Sequence, residues 1–225
     1  MSTTTVQEEY PAYGEKPLMR GWFHAAAAVA SLVITIIWIV QSAGQPALFF
    51  SLLIFGMSQL LLYIVSAIYH LGNWSGRACH ILRAIDHSNI YVLIAGTYTP
   101  FCMVLLEGAW RIGIVSLIWG LALLGVLFKI WMPYLPSWLS TGFYIGMGWI
   151  GVLIAPILWN VLPAAALWML VSGGVIYTLG GVMYSLQWPR LAPRVFSFHE
   201  MFHLCTVGAN VIFIVTVWVW VMPRA

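Results

Sequence analysis

Seven runs of roughly twenty predominantly apolar residues divide the chain, each long enough to cross a hydrocarbon layer as a helix. They span Gly21–Gln41, Pro46–His70, Asp86–Leu106, Arg111–Trp131, Trp138–Leu158, Ala164–Leu186 and Phe198–Met222. The connecting segments are short and leave no room for a second domain. The expected architecture is therefore an all-α integral membrane protein, a single bundle of seven transmembrane helices. A polar N-terminal tail (residues 1–17) precedes the transmembrane domain (residues 18–225). A β-barrel would instead show short alternating segments. Internal Pro and Gly at Gly96–Pro100 and Ala155-Pro156 predict kinks. Gly142 and Gly146, and less cleanly Gly120 and Gly125, predict close helix packing.

Composition sharpens this picture. Only 7% of the 225 residues are charged, against about 25% in a soluble domain. The mean hydropathy is +0.95. A net charge of +3, scattered along the chain, excludes nucleic acid as a partner. Three cysteines, Cys79, Cys102 and Cys205, form no disulfide framework. Cys205 lies two residues beyond His203, where a ligand role is an alternative, but it is read as a small packed residue. The first apolar run is longer than a signal-peptide core and is kept as a membrane helix. Lys16, Arg20, Arg77, Arg83, Lys129, Arg190 and Arg194 fall on one side of the seven spans, with only Arg111 and Arg224 opposite. The positive-inside rule then places the N-terminus in the cytoplasm.

Polar residues within the spans carry the candidate chemistry, because such groups are costly in a bilayer and need partners. His199 and His203 are four apart and share a helix face. His70 ends the second span and Asp86 starts the third, and both fall on the cytoplasmic side with the histidine pair. Ser66 shares the face of His70, and Tyr63 and Gln59 extend a polar stripe behind it. On the last helix Asn210 aligns with His203. Three imidazoles with an open fourth position make a catalytic-type zinc site. His70, His199 and His203 are the expected ligands. Asp86 is either a fourth ligand or the acceptor for a zinc-bound water, where it would act as general base. Ser66 would orient or stabilise the reacting oxygen.

His199-Glu200-x-x-His203 also fits the zincin pattern, with Glu200 as base. No Asp, Glu or His follows His203, so a third ligand must come from upstream. Glu200 is read instead as meeting Arg194 or solvent. His24 is a candidate hydrogen-bond donor behind the ligands, His87 is read as structural, and His80 is placed in a basic loop with Arg77 and Arg83. Trp74, Trp131, Trp138, Trp159 and Trp188 suit interfacial belts.

The motifs Ser66–His70, Asp86–Tyr91 running into Ala95–Phe101, and His199–His203 resemble the bacterial hemolysin III family. That family is similar to the progestin and adipoQ receptors and, more distantly, to the alkaline ceramidases. His24 also matches a histidine of the family's first helix. The resemblance implies a seven-helix bundle with the N-terminus inside, set in the bacterial cytoplasmic membrane. It implies zinc on His70, His199 and His203, with Asp86 and Ser66 beside the zinc water. Hydrolysis of a lipid amide is the activity the resemblance implies; a zinc-dependent hydrolase of a lipid amide or ester, with membrane lipids as partners, is the expected function. A pore-forming cytolysin, a membrane-homeostasis protein with a structural or sensing zinc, and a Glu200-dependent intramembrane protease are the competing expectations.

Overall fold

The structure, a computed structural model, describes residues 16–132, 136–192 and 194–225. The polar tail expected at residues 1–17 therefore lies outside the described residues except for Lys16 and Pro17. Among the described residues the regular structure is helical, with one isolated antiparallel bridge, Ala192 to Phe196. The helices are α1 (Trp22–Gln41), α2 (Pro46–Leu71), α3 (Gly76–Leu105), α4 (Gly108–Trp131), α5 (Ser137–Gly148), α6 (Ala155–Val161), α7 (Ala164–Leu186) and α8 (Phe198–Thr216). α5 and α6 are joined by a 3₁₀ segment, Trp149–Ile154, and together form one span. Seven spans are long and apolar enough to cross a membrane, so the chain is a seven-span membrane protein.

Local signals explain several ends. Pro46 opens α2 at a position where its missing N–H costs nothing. Ser197 precedes α8, and Glu200 reaches back to accept the Ser197 backbone N–H at 2.8 Å. α3 continues through Pro100 as one helix, whereas the fifth span breaks just before Pro156. Asp86 does not begin a helix. α3 starts ten residues earlier, at Gly76, and takes Arg77, His80 and Arg83 into its first turns instead of a loop.

Neighbour order closes a ring. α4 packs on α3, α3 on α2, α2 on α1, α1 on α8, α8 on α7 and α7 on α5, which touches α3 and α4. Leu52, Phe55, Leu93, Trp38 and Val217 fill the interior. Val29, Leu32, Val33 and Ile36 of α1 face outward, as lipid contact requires. Trp131, Trp138, Trp159 and Trp188 are exposed near span ends, where amphipathic rings suit the interface.

Three of the four step glycines differ from expectation. A Cβ at Gly142, Gly146 or Gly120 would meet nothing within 4 Å. Close approaches include Gly125, as expected, against the Tyr91 ring, and Gly180, where Cys205 of α8 packs. Glycine spacing marks a smooth helix face but does not say which face a neighbour covers.

Candidate metal centre

His70 stands in the last turn of α2, and His199 and His203 stand in the first two turns of α8. All three side chains are buried. The Nε2 of His199 lies 3.2 Å from that of His70 and 3.0 Å from that of His203. One ligand atom from each residue falls within 4.8 Å of the others, a grouping that could hold a metal ion.

The donor set fits a cation. Nitrogens about 2.0–2.1 Å from zinc in a tetrahedron lie about 3.4 Å apart. The two contacts made by His199 Nε2, at 3.0 and 3.2 Å, are close to that edge. A neutral imidazole carries one N–H, so one proton on His199 Nε2 can serve only one of its two neighbours well. A cation at the common point satisfies all three lone pairs.

The surroundings hold these rings in place. The His24 ring stacks on His203 with centroids 3.8 Å apart and planes 14° from parallel. Neither His24 nitrogen, nor His203 Nδ1, has a hydrogen-bond partner among the described residues. His24 therefore supports His203 by stacking and not as the donor expected from the sequence. Gly21 adopts φ +87°, and a Cβ there would sit 2.9 Å from the Cβ of His70. Only glycine combines that conformation with that approach.

Asp86 lies outside the three-histidine group, with Oδ2 3.6 Å from His70 Nε2. Ser66 is buried one turn before His70. Ser66, Asp86, His199 and His203 line a common cavity of about 640 Å³, within the ~300–1,000 Å³ range of ligand pockets. The α2 stripe is buried and tied across the bundle. Gln59 accepts a hydrogen bond from Ser31 of α1 at 3.1 Å, and Tyr63 accepts one from Asn210 of α8 at 3.0 Å.

Glu200 faces neither Arg194 nor solvent. It is fully buried and its carboxylate pairs with Arg20, just before α1. The sequence contained half of this signal, since Ser197-x-x-Glu200 is a capping-box pattern. Arg20, read from the sequence only as an orienting charge, carried no signal for its partner 180 positions away. His87 fits its structural reading. Its Nδ1 contacts the Arg83 carbonyl at 2.8 Å and its Nε2 the Tyr184 hydroxyl at 3.3 Å.

With this geometry in hand, the family described as Haemolysin-III related matches residues 13–214. The chain belongs to that family. Among curated relatives, the haemolysin III protein Hemolysin-3 of Bacillus cereus is 31% identical over 204 residues, covering 90% of each chain. The Hemolysin-3 homolog of Bacillus subtilis (strain 168) is 35% identical over 183 residues, covering 81% of this chain and 82% of its own. The human Monocyte to macrophage differentiation factor is 25% identical over 169 residues, 73% of this chain and 68% of its own. The haemolysin III assignment agrees with the multi-pass architecture and with the order of motifs along the chain.

Proposed function

We propose that this haemolysin III protein is a zinc-dependent hydrolase of lipid amide or ester bonds, placed in the bacterial cytoplasmic membrane near its cytoplasmic face. The observation that carries the reading is the convergence of three imidazole nitrogens, two of them on residues (His199 and His203) that line an intramembrane cavity together with Asp86 and Ser66. His70, His199 and His203 would hold the ion. When bound, zinc supplies Lewis acidity toward a carbonyl oxygen and brings the pKa of a coordinated water to about 7. Asp86, outside the ligand group yet 3.6 Å from His70, accepts a proton from the attacking water and delivers it to the leaving nitrogen or oxygen. The Ser66 hydroxyl donates to the carbonyl oxygen as negative charge develops there. The net change is one water added across the C–N or C–O bond, giving an acid and an amine or alcohol. The apolar walls of the cavity take the acyl chain and exclude bulk water.

Release of fatty acid from a panel of amide and ester lipids by zinc-loaded protein tests this reading. Turnover in wild type that falls at least 100-fold in Asp86→Asn is expected. No release from any lipid, beside an active ceramidase control, removes the hydrolase.

The names of the Bacillus relatives favour a second reading, membrane permeabilisation with the ion in a structural or sensing role. Liposome leakage that survives His203→Ala, without lipid turnover, would select it. The protease alternative is disfavoured by Glu200, whose carboxylate is engaged by Arg20 and by the start of α8.

A further inference from the structure

Lys129 lies in the last turn of α4, yet its side chain is only 5% exposed. A lysine at the end of a membrane helix ordinarily extends its ammonium toward the headgroups. This one turns inward, lines the cavity and donates a 2.7 Å hydrogen bond to Ser140 Oγ of α5. An ammonium has three donors and a full charge, and one neutral hydroxyl leaves the charge unbalanced.

No carboxylate of the described residues balances it. Those carboxylates are Asp86, Glu107 and Glu200. Glu200 is held by Arg20 and Asp86 lies beside His70. Glu107 precedes the opposite end of α4, about 30 Å away at 1.5 Å per residue. Arg83, from the first turns of α3, lines the same cavity as Lys129. Arg83 and His80, one turn apart, line the same mouth of the cavity. Lys129, Arg83 and His80 thus outnumber Asp86, the one carboxylate among the described residues of the cavity lining, and the lining extends through apolar residues to Leu158 and Trp159 near the other end of the fifth span. A charged mouth on an apolar body has the shape of an amphiphile's complement. Two converging cations suit a phosphate better than a single lysine does.

We propose that this mouth binds the phosphate of a net-anionic phospholipid whose acyl chain lies in the cavity, with Lys129 and Arg83 as its charge partners. Anionic headgroups belong to the cytoplasmic leaflet, the side to which the distribution of Lys and Arg assigns this end of the bundle. The proposal concerns binding and does not depend on chemistry at the histidines.

Native mass spectrometry of the detergent-purified full chain, titrated with phosphatidylglycerol and with phosphatidylcholine, tests it. Wild type is expected to retain phosphatidylglycerol at least tenfold more tightly. Lys129→Met is expected to abolish that preference without changing phosphatidylcholine binding, Lys129→Arg to restore most of it, and Arg83→Met to weaken it. Equal retention of the two lipids by wild type overturns the proposal, as does a folded Lys129→Met with undiminished selectivity. Tighter binding of oleate than of phosphatidylglycerol overturns the phosphate assignment. Displacement of bound lipid by millimolar inorganic phosphate overturns the lipid as its source. Should Lys129→Met not fold, unchanged selectivity in Arg83→Met decides against the site.

Discussion

Arg20, just before α1, holds the carboxylate of Glu200, the third residue of α8, inside the protein. The pair ties the first span to the last, one residue from His199. Removing one partner leaves a buried charge alone, at a cost of about 3–5 kcal/mol. Arg20→Met is therefore expected to lower the thermal unfolding midpoint in detergent sharply. Arg20→Met combined with Glu200→Leu should unfold at a higher temperature than Arg20→Met alone, because no uncompensated carboxylate remains. It should stay below wild type, since the Ser197 N–H also loses its acceptor. A double variant no better than Arg20→Met would show that the pair is not the coupling element.

Metal content separates ligands from neighbours. Elemental analysis of wild type is expected to give about one zinc per chain, lost in His70→Ala, His199→Ala and His203→Ala. Asp86→Ala is expected to keep its zinc, because Asp86 lies outside the three-histidine group. Loss in Asp86→Ala equal to that in the histidine variants would make it a fourth ligand.

His24 offers a test of stacking against hydrogen bonding. Its ring lies on His203, while both its nitrogens are unpartnered among the described residues. His24→Phe keeps a flat ring and is expected to hold zinc within about threefold of wild type in a chelator competition. His24→Ala removes the supporting surface and leaves a void at the site, and should release zinc at least tenfold more readily. Equal loss in both would mean that a ring nitrogen matters.

Gly21→Ala forces a side chain into a left-handed conformation and against His70. The backbone term alone is about 1–2 kcal/mol. Reduced thermal stability together with weaker zinc retention is expected, because the displaced group belongs to one of the three histidines of the candidate metal centre. Stability loss with zinc affinity unchanged would show that His70 does not move.

The bundle glycines differ in the space around them. Gly180→Ala and Gly125→Ala press against Cys205 and the Tyr91 ring, and overpacking of this kind costs about 1–3 kcal/mol. Gly142→Ala meets open space and should stay within about 0.5 kcal/mol of wild type in a denaturation series.

These residues also mark what could be read from the chain alone. The seven spans were legible because a bilayer demands long apolar runs whatever the tertiary packing. The meeting of His70 with His199 and His203 was legible because charge bias and span counting fix depth. Depth is coarser than contact, however. Asp86 was placed at the start of its helix, because the polar first turns of α3 break no apolar run yet remain helical. The partner of Glu200, the stacking of His24 and the inward turn of Lys129 depend on which helix faces meet. A single sequence holds no signal for that. Gly120, Gly142 and Gly146 failed as packing steps for the same reason, while Gly125 packs as expected.

The histidines also impose a schedule. His70 and His199 are separated by 129 positions, and synthesis proceeds from the N-terminus. A growing chain therefore carries His70 on its second span for most of its manufacture before its two counterparts exist. Until the last helix seats beside the first, Arg20 and His70 wait for partners that have not yet been made. Ion capture by the three histidines would on this account be a signature of completion: a chain able to hold a metal there has already placed its final span.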